Sequence, residues 1–142
     1  MPQTIYFSGS ISAGREDAAL YRRIVSALEA GGHRVLAGSV ISFDIGAAGE
    51  PGVPQDIFRR DMNWLKEATV LVAEVSKPSI GVGYEIGTAR YRYKIPVFCL
   101  WRPAFTARCS AMVAGDEGIT TIEYSDEAVP AMISRLLAAI GE

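Results

Sequence analysis

Seven consecutive residues, Ser79-Ile80-Gly81-Val82-Gly83-Tyr84-Glu85, bring together a hydroxyl, a pair of glycines and a carboxylate. Glycines let a backbone approach a ligand closely. Free amides at the start of a helix bind anions. The apolar run Thr69–Val75 before this stretch reads as a buried strand, and the stretch itself opens a helix. On that reading Glu85 lies in the first helical turn, where the helix dipole favours the ionised form. Ser79, Gly81, Gly83 and Glu85 together suggest a phosphate seat beside a nucleophile or base.

A second loop has related chemistry. Ser8-Gly9-Ser10-Ile11-Ser12-Ala13-Gly14-Arg15-Glu16 nearly matches a phosphate-binding P-loop. Arg15 stands where that motif has lysine, and Glu16 replaces the Ser/Thr that holds magnesium. An acid at that point repels a triphosphate, so nucleoside triphosphate hydrolysis is rejected. What remains is a Gly/Ser loop with one arginine at a helix start, suited to a monophosphate; the plain alternative is a strand-to-helix turn. Gly81, Gly83 and Gly87 do not form a dinucleotide fingerprint either, being one residue too widely spaced and following the third strand.

Asp61 stands out by its position. Ile57, Trp64, Leu65 and Ala68 make the apolar face of a helix, and Asp61 shares that face. A carboxylate turned inward is costly unless paired or functional. It is either a site residue or half of a structural pair with Arg59 or Arg90. Glu74, near the end of the third strand, is either a second acid or a cap for nearby amides, with capping favoured. Tyr6 and Tyr84 are core aromatics or site residues, and Tyr6 lies on a strand whose end reaches the expected crevice. His33 belongs to a Gly-Gly turn away from it. No His, Cys and acid cluster has metal-ligand spacing, and no Ser-His pairing suggests a triad.

The elements that must position these residues alternate. Short strands are expected at Ile5–Phe7, Arg34–Val40, Thr69–Val75, Ile95–Trp101 and Ile119–Tyr124. Helices are expected at Glu16–Ala30, Gln55–Ala68, about Gly83–Tyr93 and Glu127–Ile140. Ser42–Pro54 reads as a Gly/Pro-rich loop or lid, and Arg102–Gly115 as loop with a short helix. Gly31-Gly32 ends the first helix. This pattern predicts an α/β domain with a five-stranded, mostly parallel sheet covered on both faces, in the flavodoxin-like order 2-1-3-4-5. In that order the crevice lies beyond strands one and three, where both rich loops fall.

The chain has 142 residues, enough for one domain with a real core and too few for two, so residues 1–142 are expected to form a single catalytic domain. Apolar residues make up 49% and charged residues 21%, with a formal net charge of -2. That balance suits a soluble protein and argues against a nucleic-acid polymer as partner. No apolar run reaches the roughly 20 residues of a membrane span. Cys99 and Cys109 read as reduced thiols, and a cytoplasmic location is expected.

Taken together, these segments resemble the 2'-deoxynucleoside 5'-phosphate N-hydrolase family, in the superfamily of nucleoside 2-deoxyribosyltransferases. The resemblance rests on Tyr6-Phe7-Ser8-Gly9-Ser10-Ile11 with Gly14-Arg15-Glu16-Asp17, Asp61 with Trp64-Leu65, and Val72-Ala73-Glu74-Val75. Pro78 to Glu85, Cys99-Leu100 with Arg102-Pro103, and Ser110-Ala111-Met112 continue it over nearly the whole chain. It implies cleavage of the N-glycosidic bond of a deoxynucleoside monophosphate, with Glu85 as nucleophile, Asp61 as second catalytic carboxylate and Tyr6 near the sugar. It also implies that Gly9 to Arg15 and Ser79 bind substrate. It places Ser110 to Met112 in the neighbouring subunit's site, and hence implies a homodimer. Two departures bear on substrate preference: Ser12-Ala13 stand where members carry Arg-Gly, and Ser39 where some have histidine. The chemistry needs no metal or organic cofactor. Transfer of the deoxyribosyl group to another base is the main alternative, and a nucleotide sensor without turnover is the alternative from another class. Two carboxylates that repel phosphate argue against the sensor.

Overall fold

Strand and helix patterns alternate along this chain because each parallel strand needs a crossover before the next can pair. A computed structural model describes residues 1–11, 17–41, 50–103 and 108–142. Its strands are β1 (Thr4–Gly9), β2 (Arg34–Leu36), β3 (Val70–Glu74), β4 (Val97–Trp101) and β5 (Ile119–Glu123). All pair in parallel in the order β2-β1-β3-β4-β5, as the sequence predicts. The helices are α1 (Ala18–Ala30), α2 (Pro54–Glu67), α3 (Ile80–Gly87), α4 (Ala111–Ala114) and α5 (Val129–Gly141).

The period of two along each strand divides the core between the two faces of the sheet. Ile5, Phe7, Val70 and Val72 pack with Tyr21, Ile24 and Leu28 of α1 and with Met132 and Leu136 of α5. Tyr6, Leu71 and Ala73 point the other way, against Leu65 of α2 and Val82 and Ile86 of α3. Tyr6 and Ser8 share a strand parity, so both face the α2/α3 side. Glu74 shares the parity of Val70 and Val72, which carries it to the α1/α5 side.

Several boundaries differ from the sequence reading. β2 ends at Leu36 instead of Val40 because Gly38, at φ 55°, turns the chain into a 3-10 turn over Gly38–Ile41. A side chain at Gly38 would press on Trp64, since a Cβ there would lie 2.9 Å from the indole. α3 begins at Ile80 rather than Gly83 and runs on as a π turn over Thr88–Tyr93, ending at Lys94 with φ 54° and ψ 41°. Residues 95 and 96 precede β4 instead of belonging to it. The expected lid, Ser42–Pro54, lies outside the described residues from 42 to 49. No helix among the described residues is long and apolar enough to cross a membrane.

Candidate active site

The site is built where β1 meets the start of α3. Ser79 caps α3, its Oγ accepting a hydrogen bond from the Val82 amide at 3.3 Å, while the Gly83 amide donates to the Ser79 carbonyl at 3.1 Å. The amides of Ile80 and Gly81 are left without an intrahelical acceptor. Glu85 is the sixth residue of α3, one turn deeper than the sequence reading places it. Its side chain meets β1, where the Tyr6 hydroxyl donates to Oε2 and the Ser8 hydroxyl donates to Oε1 at 2.9 Å.

Burial there works against the expected ionisation. Near the helix start the dipole would hold Glu85 charged. In the structure burial raises its carboxyl to about 7, against the opposing pull of the Tyr6 and Ser8 hydrogen bonds; Asp61 pushes it further up and Arg60 pulls it down. The Tyr6 hydroxyl is pushed well above its ordinary value by burial and by Glu85, so it acts as a donor. A carboxyl that titrates near neutrality in a cleft is a common mark of a reactive group.

Asp61 lies in α2, half-buried, as its place on the apolar face suggests. Its partner is neither Arg59, which reaches Asp56, nor Arg90, which reaches Asp116. Arg60 fills that role: its Nε donates to Oδ1 of Asp61 at 3.0 Å, and its Nη1 and Nη2 donate to Glu50 at 2.5 and 2.8 Å. Burial raises Asp61 above the ordinary carboxylate value, and the Arg60 contact opposes the rise.

These groups face a cleft of about 500 Å³, within the range of small-molecule sites. Gly9, Ile11, Ser79 and Gly81 line it beside Asp61 and Glu85, and Ile57, Phe58 and Met62 of α2 supply an apolar wall. A recess of about 50 Å³ sharing Asp61 and Glu85 with it adds Tyr6 and Ser8. Gly9 allows tight closure behind the site: a Cβ there would lie 2.9 Å from the Tyr21 ring. Ser10 is buried, and its Oγ has no partner among the described residues. Ser12, Ala13, Gly14 and Arg15 lie outside the described residues. Tyr84 is exposed, edge-on to Phe58 at 6.0 Å between ring centroids.

Two expectations are redrawn. Gly83 lines a different cleft, of about 600 Å³, together with Ser110, Ala111 and Met112. Within one chain those four residues are therefore not brought to Glu85. Ser110 occupies the N-cap position of α4, its carbonyl accepting from the Val113 and Ala114 amides at 3.0 and 2.8 Å, while its side chain makes no cap bond. Glu74 is a hub on the other face, as the capping reading held. It accepts from the Ser76 amide at 2.8 Å, from the Ser76 hydroxyl at 2.9 Å and from the Tyr124 hydroxyl, with Arg102 at 3.5 Å. His33 accepts from the Gln3 amide at 3.0 Å, and Cys99 and Cys109 are buried free thiols. No group of His, Cys, Asp and Glu among the described residues is arranged to hold a metal.

Sequence reasoning missed Ser8 as a direct partner of Glu85, although its spacing of two from Tyr6 was the available signal. It also missed Glu50 and Arg60. Nothing local marks Glu50, since its partner lies 10 residues away.

A parallel α/β sheet with a glutamate raised toward neutrality at the crevice marks a candidate small-molecule site with a reactive carboxyl. The profile of the nucleoside 2-deoxyribosyltransferase family matches residues 5–126, and the chain belongs to that family. It is 43% identical over 144 residues to the mouse 5-hydroxymethyl-dUMP N-hydrolase, covering 98% of this chain and 82% of that protein. The human protein of the same name is 41% identical, over 95% of this chain and 79% of its own. Among solved structures, a 2-deoxyribosyltransferase of Bacillus psychrosaccharolyticus superposes with a TM-score of 0.64 at 17% identity, over 87% of this chain and 86% of that one. A CMP N-glycosidase of Clostridium botulinum does so with 0.63 at 17%, over 94% and 97%. These distant structures share the fold.

Proposed function

We infer that this protein hydrolyses the N-glycosidic bond of 2'-deoxynucleoside 5'-monophosphates, releasing the free base and 2-deoxyribose 5-phosphate. The observation that carries the chemistry is Glu85, held at the cleft by Tyr6 and Ser8 with a carboxyl near 7. The similarity to 5-hydroxymethyl-dUMP N-hydrolases supports the substrate class.

In this reading an ionised Glu85 oxygen attacks the anomeric carbon as the carbon–nitrogen bond breaks. The bonding pair leaves with the base, which takes a proton from water, or from Asp61 where that carboxyl holds one. The resulting glycosyl ester is then attacked by water: the ester bond to Glu85 breaks, one water proton is lost, and the carboxylate is regenerated. Tyr6 and Ser8 each donate to one carboxylate oxygen, which fixes the plane of the group and orients the attacking oxygen. Asp61 with its proton would donate to the leaving base; without it, it would accept from the substrate. The Arg60 bond to Oδ1 favours the second role. The apolar wall of Ile57, Phe58 and Met62 suits a nucleobase, while the Ile80 and Gly81 amides, Ser79, Ser10 and Arg15 suit the 5'-phosphate. Ser110, Ala111 and Met112 would reach that site from a second copy in a homodimer.

The test is a panel of deoxynucleoside and ribonucleoside monophosphates, with plain deoxynucleosides alongside, read by chromatography for released base. Charge-assisted hydrogen bonds of roughly 1.5–3 kcal/mol each make the 5'-phosphate decisive. The monophosphate should be cleaved far faster than the deoxynucleoside. A second base is included because the family takes its name from transfer. Equal cleavage of both substrates, with the deoxyribosyl group passed to the added base, would favour a transferase.

A further inference from the structure

Arg60 is placed unusually for a residue beside Asp61. Neighbours on a helix point about 100° apart, so their side chains do not ordinarily meet. Here the Arg60 side chain curls over the Trp64 ring, 4.9 Å from its centroid, and Trp64 in turn lies against Gly38. That platform turns the guanidinium so that one edge reaches Asp61 and the other grips Glu50. Glu50 closes the cleft on that side and also lines the recess that holds Glu85.

We propose that Arg60 is a positioning residue: its bridge from Glu50 to Asp61 holds the Asp61 carboxylate at the reacting end of the cleft and fixes the adjoining wall. The inference rests on the roles given above to Asp61 and Glu85. Lysine cannot replace this bridge, because a single ammonium cannot fork to two carboxylates in fixed geometry. The bridge also places one positive charge among acids. Among the described residues, the groups facing Glu85 are Tyr6 and Ser8 from β1 and Asp61 and Arg60 from α2, with Glu50 behind Arg60. Arg60 is the cation among these described residues, and it opposes the upward push on Glu85.

The test compares Arg60→Gln, Arg60→Lys and Glu50→Gln by two readouts. The first is the titration of the Glu85 and Asp61 side-chain carboxyls by 13C NMR in the free protein. Arg60→Gln should raise the midpoints by about one pH unit, as expected on losing an opposite charge at contact distance. Glu50→Gln should move Asp61 downward, because a negative charge is removed. Arg60→Lys should stay near the parent. The second readout is base release. Arg60→Gln and Arg60→Lys should both lower kcat/KM, by between about 10-fold and 100-fold, as misplacement of a reacting group does. Arg60→Lys thus keeps the charge and loses the geometry. A bridge serving stability alone would lower the melting temperature of the three variants and leave midpoints and rates unmoved, which would overturn the proposal. Parent-like rates in Arg60→Lys would also overturn it, since charge alone would then suffice. A parent protein that releases no base from any monophosphate would refute the hydrolase reading instead; the titration arm would still decide whether Arg60 governs the two carboxyls.

Discussion

Replacing Glu85 by glutamine should make this protein inactive and more stable at the same time. Burial raises the Glu85 carboxyl from its ordinary 4.5 to about 7 in the fold. The folded state therefore holds a proton that the unfolded chain has already lost between those values. Stability from this group is full below about 4.5, falls as pH rises through 7, and is flat above. That rise corresponds to roughly 3 kcal/mol of stability forgone at pH 8. Glutamine carries no charge and removes that cost. Against this, Tyr6 and Ser8 each donate to a different carboxylate oxygen, and an amide offers only one oxygen. One hydrogen bond is thereby weakened, at about 1 kcal/mol. The net expectation is a gain of about 2 kcal/mol at pH 8 that turns into a loss of about 1 kcal/mol by pH 4.5. Urea unfolding of both proteins at pH 4.5, 6 and 8, followed by tryptophan fluorescence at one protein concentration, measures it. Base release should fall by at least about 10³-fold, roughly 4 kcal/mol of barrier. A variant less stable than its parent at pH 8, or a gain equal at every pH, would refute the electrostatic account. Near-parental turnover would remove Glu85 as nucleophile.

Tyr6→Phe keeps the apolar bulk around Glu85 but deletes a donor to its charged form, worth about 1.5–3 kcal/mol. The acid limb of kcat/KM should move up by about one to two pH units, leaving high-pH activity less affected; an unmoved limb would show that this bond does not tune the nucleophile. For the shared site, inactive Glu85→Gln chains are mixed with inactive Ser110→Arg chains. A mixed dimer then has one site with both defects and one with neither, so activity should return. If subunits demonstrably exchange and no activity appears, Ser110 does not belong to a partner's site.

Local pattern sufficed for the class of architecture. Alternating apolar strand runs and amphipathic helices pointed to a parallel sheet, while the order 2-1-3-4-5 was one of several doubly wound orders and is the one the structure adopts. The same pattern placed Asp61 on an inward face, because helix faces are short-range properties, but it started α3 at Gly83 and so missed Ser79 as its cap. The tertiary structure decided how the groups behave. Tyr6 and Glu85 are 79 residues apart, and nothing in either neighbourhood announces their contact. The rise of the Glu85 carboxyl toward neutrality was not legible for that reason. A helix dipole acts within one turn and can be read from sequence, whereas desolvation depends on what packs over the carboxyl. Choosing Arg60 over Arg59 or Arg90 as the partner of Asp61 needed the Trp64–Gly38 platform, made when the turn after β2 docks on α2. The separation of Ser110–Met112 from Glu85 within one chain likewise emerges only once the elements are stacked. Sequence periodicity says which face a side chain is on; which distant face it meets, and how much water that contact excludes, is a property of the assembled fold.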